Sequence, residues 1–132
     1  MELSQLHDAC GAGDTERVKQ LLDGGGGAQV NEKDEGWTAL MLASMGGHTE
    51  VVRLLLDKSA LLDETDHHGR TALMLASING HTEVVRLLLD KGALFDKKDE
   101  NGDTALMLAS DNSHTEVVKL LVDLMLKLLH NA

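Results

Sequence analysis

The phrase TALMLAS stands at Thr38–Ser44, Thr71–Ser77 and Thr104–Ser110, so it returns every 33 residues, and the text after each copy also matches. A period of this size constrains the fold more than any single residue does. A segment of that length cannot bury its own apolar side, so successive copies must stack into an array. Stacked helices lie roughly 8 to 10 Å apart, and a side chain repeated once per module therefore meets no common centre with its equivalents.

Each period reads as helix, turn, helix and an extended connection. Thr38 is a good N-cap, the short segment Ala39–Met45 has helical apolar spacing, and Gly46–Gly47 ends it. Two turns of helix do not persist alone. The following HTEVVRLLLDK places Val51, Val52, Leu54, Leu55 and Leu56 on a wide apolar face, with Glu50, Arg53 and Asp57 outward. A divergent first copy precedes these, in which Ser4 matches Thr38, Leu6 matches Leu40, Ala9 matches Ala43 and Gly13 matches Gly47. It carries an additional loose run at Gly24–Gly27 and one residue fewer before Gly36. The expectation is a single domain, 1–132, of four units: about 1–34 as an N-terminal cap, 35–67, 68–100, and 101–132 with a C-terminal capping helix.

The residues GHTEVVRLLLD at Gly47–Asp57 and Gly80–Asp90, with GALFD at Gly92–Asp96 and GAQVN at Gly27–Asn31, resemble the ankyrin repeat family over residues 4 to about 123. The resemblance implies an all-α solenoid of helix-turn-helix units joined by hairpin loops, working by binding other proteins. Departures are visible. The chain has no proline, so Ala39, Ala72 and Ala105 take the first helical position where the family prefers Pro, and Ala sustains the helix. Met41, Met74 and Met107 replace the family's His, which only His7 keeps. A thioether is expected to lose that position's hydrogen bonds and to give a stacked apolar Met row instead. DNSH at Asp111–His114 replaces the glycine turn and predicts a less regular bend.

Chemical signals are weak. His48, His81 and His114 recur too far apart to close on one zinc at bonds of about 2 Å; because Asp14 fills the same position in the first unit, they are expected to cap their own outer helices. His67 and His68 are neighbours in an extended stretch, where side chains diverge, and are expected as exposed tip residues. A pH-sensitive contact there is a further reading. Gly24–Gly27 follows a helix and lacks any phosphate-loop pattern. Cys10 has small neighbours, and His7 is the nearest base. No catalysis, metal or cofactor is expected.

The net charge is −10, and the outer-helix segments cancel internally. The excess sits at residues 1–23, at 32–35, 63–70 and 96–103, and at Asp111, which disfavours nucleic acid. The apolar runs are too short to span a bilayer. One cysteine and no signal-like start predict an intracellular, cytoplasmic setting.

Resemblance to the family places the partner-binding surface on hairpin tips and short inner helices. It maps there to Lys33, Glu35, Trp37 and Met45; to His67, His68, Arg70, Ile78 and Asn79; and to Glu100, Asn101, Asp103, Asp111 and Asn112. Trp37, Met45 and Ile78 are expected as exposed apolar anchors within an acidic surround, implying a protein partner with a basic rim. The alternative is a self-assembling array, natural or engineered, whose C-terminal helix pairs two copies through Leu124, Met125, Leu126, Leu128 and Leu129.

Overall fold

The computed structural model describes residues 2–24 and 30–131, with the backbone alone for 2–4. Most of the Gly24–Gly27 run and of GAQVN therefore lies outside the described residues. Eight helices follow one another among those described: α1 (Glu2–Ala12), α2 (Thr15–Asp23), α3 (Ala39–Gly46), α4 (Thr49–Asp57), α5 (Ala72–Ile78), α6 (Thr82–Asp90), α7 (Ala105–Asp111) and α8 (Thr115–His130). They form two layers. α1, α3, α5 and α7 stack in order as the inner layer, α2, α4, α6 and α8 as the outer, and each inner helix packs on the outer helix that follows it.

Local chemistry starts the inner helices as the threonines predict. Thr38, Thr71 and Thr104 each accept, through the hydroxyl, the backbone N–H three residues on, at 3.1, 3.2 and 3.3 Å. In the first copy the helix begins at Glu2, so Ser4 lies within it and does not cap it. Met41 also corrects an expectation: its Sδ accepts the Thr38 N–H at 3.4 Å, so the thioether closes a weak capping box.

The core is aliphatic and continuous. Val51, Val52 and Leu55 of α4, and Val84, Val85 and Leu88 of α6, share one buried cluster with Leu40, Leu73 and the small Ala43, Ala76 and Ala109. Small residues on the inner helices permit close stacking. The Met row is only partly internal. Met41 and Met74 are 1% exposed, whereas Met107, on the last inner helix, is 46% exposed.

The turn between inner and outer helix shows why sequence reasoning misread the histidines. His48, His81 and His114 sit at the N-cap position of α4, α6 and α8, but none makes a side-chain cap bond. Each Nε2 instead donates backward to the preceding unit, to the carbonyls of Gly11 (3.1 Å), Met45 (2.9 Å) and Ile78 (2.8 Å). An imidazole is longer than a carboxylate and reaches the neighbour's orphan helix-end carbonyl. Asp14, with no unit before it in the described array, does cap, accepting the Arg17 N–H at 3.1 Å. Each ring packs against the turn glycine of the preceding unit: a Cβ on Gly13, Gly47 or Gly80 would stand 2.4 to 2.5 Å from His48, His81 or His114. These glycines also have φ of 70 to 73°, so both sterics and backbone require them.

DNSH makes the same bend and not a looser one. Ser113 takes φ 60°, and its N–H and that of His114 bond to Ser110 and Ala109 as Gly47 and His48 bond to Ser44 and Ala43.

Candidate functional site

The connections between units come to the surface as tight turns; among the described residues the only bridge pairing is Asp34 with Trp37. That first turn is two residues long, with Glu35 at φ 52° and Gly36 at φ 86°. The missing residue before Gly36 forces a side-chain-bearing Glu into the left-handed region. The next two turns hold three residues each, Asp66 to Arg70 and Asp99 to Asp103, closed by Asp66 N–H to the Arg70 carbonyl (3.0 Å) and Asp99 N–H to the Asp103 carbonyl (2.9 Å).

Two aspartates that the sequence reading passed over organise these turns. Asp66 Oδ1 accepts the N–H groups of His68 (2.8 Å) and Arg70 (2.9 Å), while Oδ2 accepts Arg70 Nε (2.9 Å). Asp99 Oδ1 accepts the N–H groups of Asn101 and Asp103, both at 2.9 Å. Burial alone would push the Asp66 carboxyl up, but the Arg70 and His68 N–H groups and the Arg70 guanidinium outweigh it and hold its pKa below the usual range. The signal was present as Asp66 and Asp99, 33 residues apart and three before a glycine, which is an Asx-turn pattern.

Neighbouring turns are stitched together. Lys33 Nζ donates to the Thr65 carbonyl at 2.8 Å and lies 3.6 Å from Glu64. His67 and His68 are exposed at the tip and their rings diverge, but they stand in the tight turn closed by Asp66 and Arg70 and not in the extended stretch expected. The His67 ring rests against Gly36 of the preceding turn, while His68 Nδ1 donates to Glu100 Oε1 of the following one at 2.9 Å. The Glu100 N–H also donates to the His68 carbonyl at 2.9 Å. Lower in the connections, Asn31 Oδ1 accepts the Leu61 N–H (2.7 Å) and Asp63 Oδ1 accepts the Leu94 N–H (3.0 Å).

The expected apolar anchors are half-buried, not fully exposed. Trp37 lies under Arg70, whose guanidinium carbon is 5.9 Å from the ring centroid. The Trp37 carbonyl accepts His7 Nε2 at 3.0 Å, and His7 also reaches the Glu32 carbonyl at 3.1 Å. Met45 and Ile78 lie in the last turns of α3 and α5 near Asn79, whose amide donates to the carbonyls of Met45 and Leu75 at 3.2 Å each. Asn112 similarly donates to the Leu108 carbonyl at 2.7 Å. Glu35, Asn101 and Asp111 are exposed, and Asp103 is half-buried. Much of the residue set is thus held in place by the array itself. On α8, Leu126, Leu128 and Leu129 are exposed, while Leu124 and Met125 are half-buried.

Catalytic chemistry finds little material. Cys10 is fully buried, and burial pushes its thiol up to about 12, where no thiolate forms near neutral pH. Among the described residues, no group of three or more His, Cys, Asp or Glu is placed to hold a metal, and no helix is long and apolar enough to cross a membrane.

A stacked two-layer helical array with stitched turns is the architecture that the ankyrin family profile describes. The profile for ankyrin repeats in three copies matches residues 6–99 and 61–131, and the chain belongs to that family. It is similar to the human protein phosphatase 1 regulatory subunit 27, 37% identical over 68 residues, which are 51% of this chain and 43% of that protein. The chain thus spans less than half the length of that relative. Ankyrin repeats generally mediate protein–protein interaction, and this chain has their protein-binding solenoid.

Proposed function

We propose that the protein is a non-catalytic binding module or scaffold that holds a polypeptide along its turns and inner helices, with Trp37, Met45 and Ile78 as apolar contacts inside an acidic rim. The observation that carries this reading is the stitched row of turns. Lys33, His67, His68 and Glu100 bond or pack from one turn to the next, so the surface is rigid before a partner arrives and loses little freedom on binding. The acidic excess at these turns favours a partner with a basic rim. The relative is named as a regulatory subunit, which accords with a non-catalytic role. The division into four units, with boundaries at about 34, 67 and 100, belongs to the same proposal.

The test uses immobilised chain to recover a partner at low ionic strength, followed by kinetics. Association should slow as salt rises, and Trp37→Ala should weaken binding by about 2 kcal/mol. Association indifferent to salt, with Trp37→Ala neutral, would remove the proposed surface. A second reading, self-assembly through α8, is favoured by a separate observation, the exposed Leu126, Leu128 and Leu129.

A further inference from the structure

Leu61 and Leu94 aside, the large exposed apolar side chains among the described residues all fall in the last helix pair: Met107, Val122, Leu126, Leu128 and Leu129. Their equivalents show what this face is. Met41 and Met74, each on an inner helix that has another stacked after it, are buried, and Met107 on the last is exposed. Val52 and Val85 are buried while Val118 is half-buried; Leu56 and Leu89 are half-buried while Val122 is exposed. The end of the array is therefore a bare copy of its internal interface.

A further unit of the same kind does not fit this face. It would bring a histidine ring down on Ser113, whose Cβ occupies the space that Gly13, Gly47 and Gly80 leave empty. The leading face of a second copy does not fit either. Where Ala39 and Leu42, Ala72 and Leu75, or Ala105 and Leu108 stand in later units, the first unit has Gln5 and Asp8, both exposed, and stacking would bury a carboxylate against Met107 without a partner. What remains complementary is the same end face of another molecule. Val118, Val122, Met125 and Leu129 follow one another at intervals of four, three and four, the spacing of a helix–helix seam. α8 also carries no net charge, so two chains of charge −10 can meet there without repulsion between the paired helices.

We infer that the protein forms a two-fold dimer, end face to end face, in which α8 packs antiparallel to its mate, Val118 against Leu129 and Val122 against Met125, with Met107 at the flank. This closed arrangement leaves the turns and inner helices free on both copies, and it stands or falls independently of what binds there.

Mass in solution across a dilution series tests it. The 132-residue chain should approach twice its 14.2 kDa mass at high concentration and dissociate on dilution. Leu129→Asp and Val122→Asp should each raise the dissociation constant at least about tenfold. Leu129 is 72% exposed, so its substitution leaves the fold intact, which circular dichroism verifies. A monomer at every concentration, a mass growing beyond two chains, or a dimer unmoved by both folded variants would each overturn the inference.

Discussion

Ser44 and Ser77 are fully buried on α3 and α5, and neither hydroxyl has a hydrogen-bond partner. A buried hydroxyl without a partner costs the water it gave up. Ser44→Ala and Ser77→Ala should therefore each stabilise the fold, by up to about 1 kcal/mol, seen as a raised urea midpoint at unchanged slope. The opposite sign is expected one turn further on. Gly47→Ala adds a methyl 2.5 Å from the His81 ring in a backbone region L-residues avoid, and should cost about 2 kcal/mol. His81→Ala in the same chain removes the ring, so the pair should be non-additive in a double-mutant cycle; strict additivity would show that ring and glycine do not touch.

At the scale of elements, the turn from Asp66 to Arg70 has a pH dependence with a definite sign. The Asp66 pKa is lowered in the folded chain. Its contribution is therefore fully present above the unfolded value of about 3.9 and is lost as pH falls through the folded value. Asp66→Asn should lower stability at pH 7, and the gap to wild type should close below about pH 4, as followed by circular dichroism. A gap constant with pH would mean that the carboxylate charge does not matter there. The same element shows how far the sequence could be read. The threonine caps and apolar faces were legible because they depend on neighbours three or four residues away. The backward reach of His48, His81 and His114 was not, because its acceptors are carbonyls 36 or 37 residues earlier that no local pattern names. Trp37 closes the first turn by pairing with Asp34, but its cover comes from Arg70, one unit on, which no local pattern names either.

Among the described residues the main helix contacts run between neighbouring units, so stability is a sum of local and interface contributions. α3 to α6 have covered faces on both sides, while α1 and α8 have one. Amide hydrogen exchange should therefore be slowest in α4, α5 and α6 and fastest at the two ends, with a spread that narrows if the end face of α8 is occupied. Uniform protection along the chain would indicate all-or-none unfolding instead.

Ser113 gives the array an order that its near-identical text conceals. If the modules were shuffled, the one ending in Ser113 could not be followed by any that begins with a histidine, and the one beginning with Asp14 would leave the carbonyl ahead of it without a donor. Copying a middle module keeps every such histidine over a glycine, whereas setting a histidine-led module after Ser113 does not.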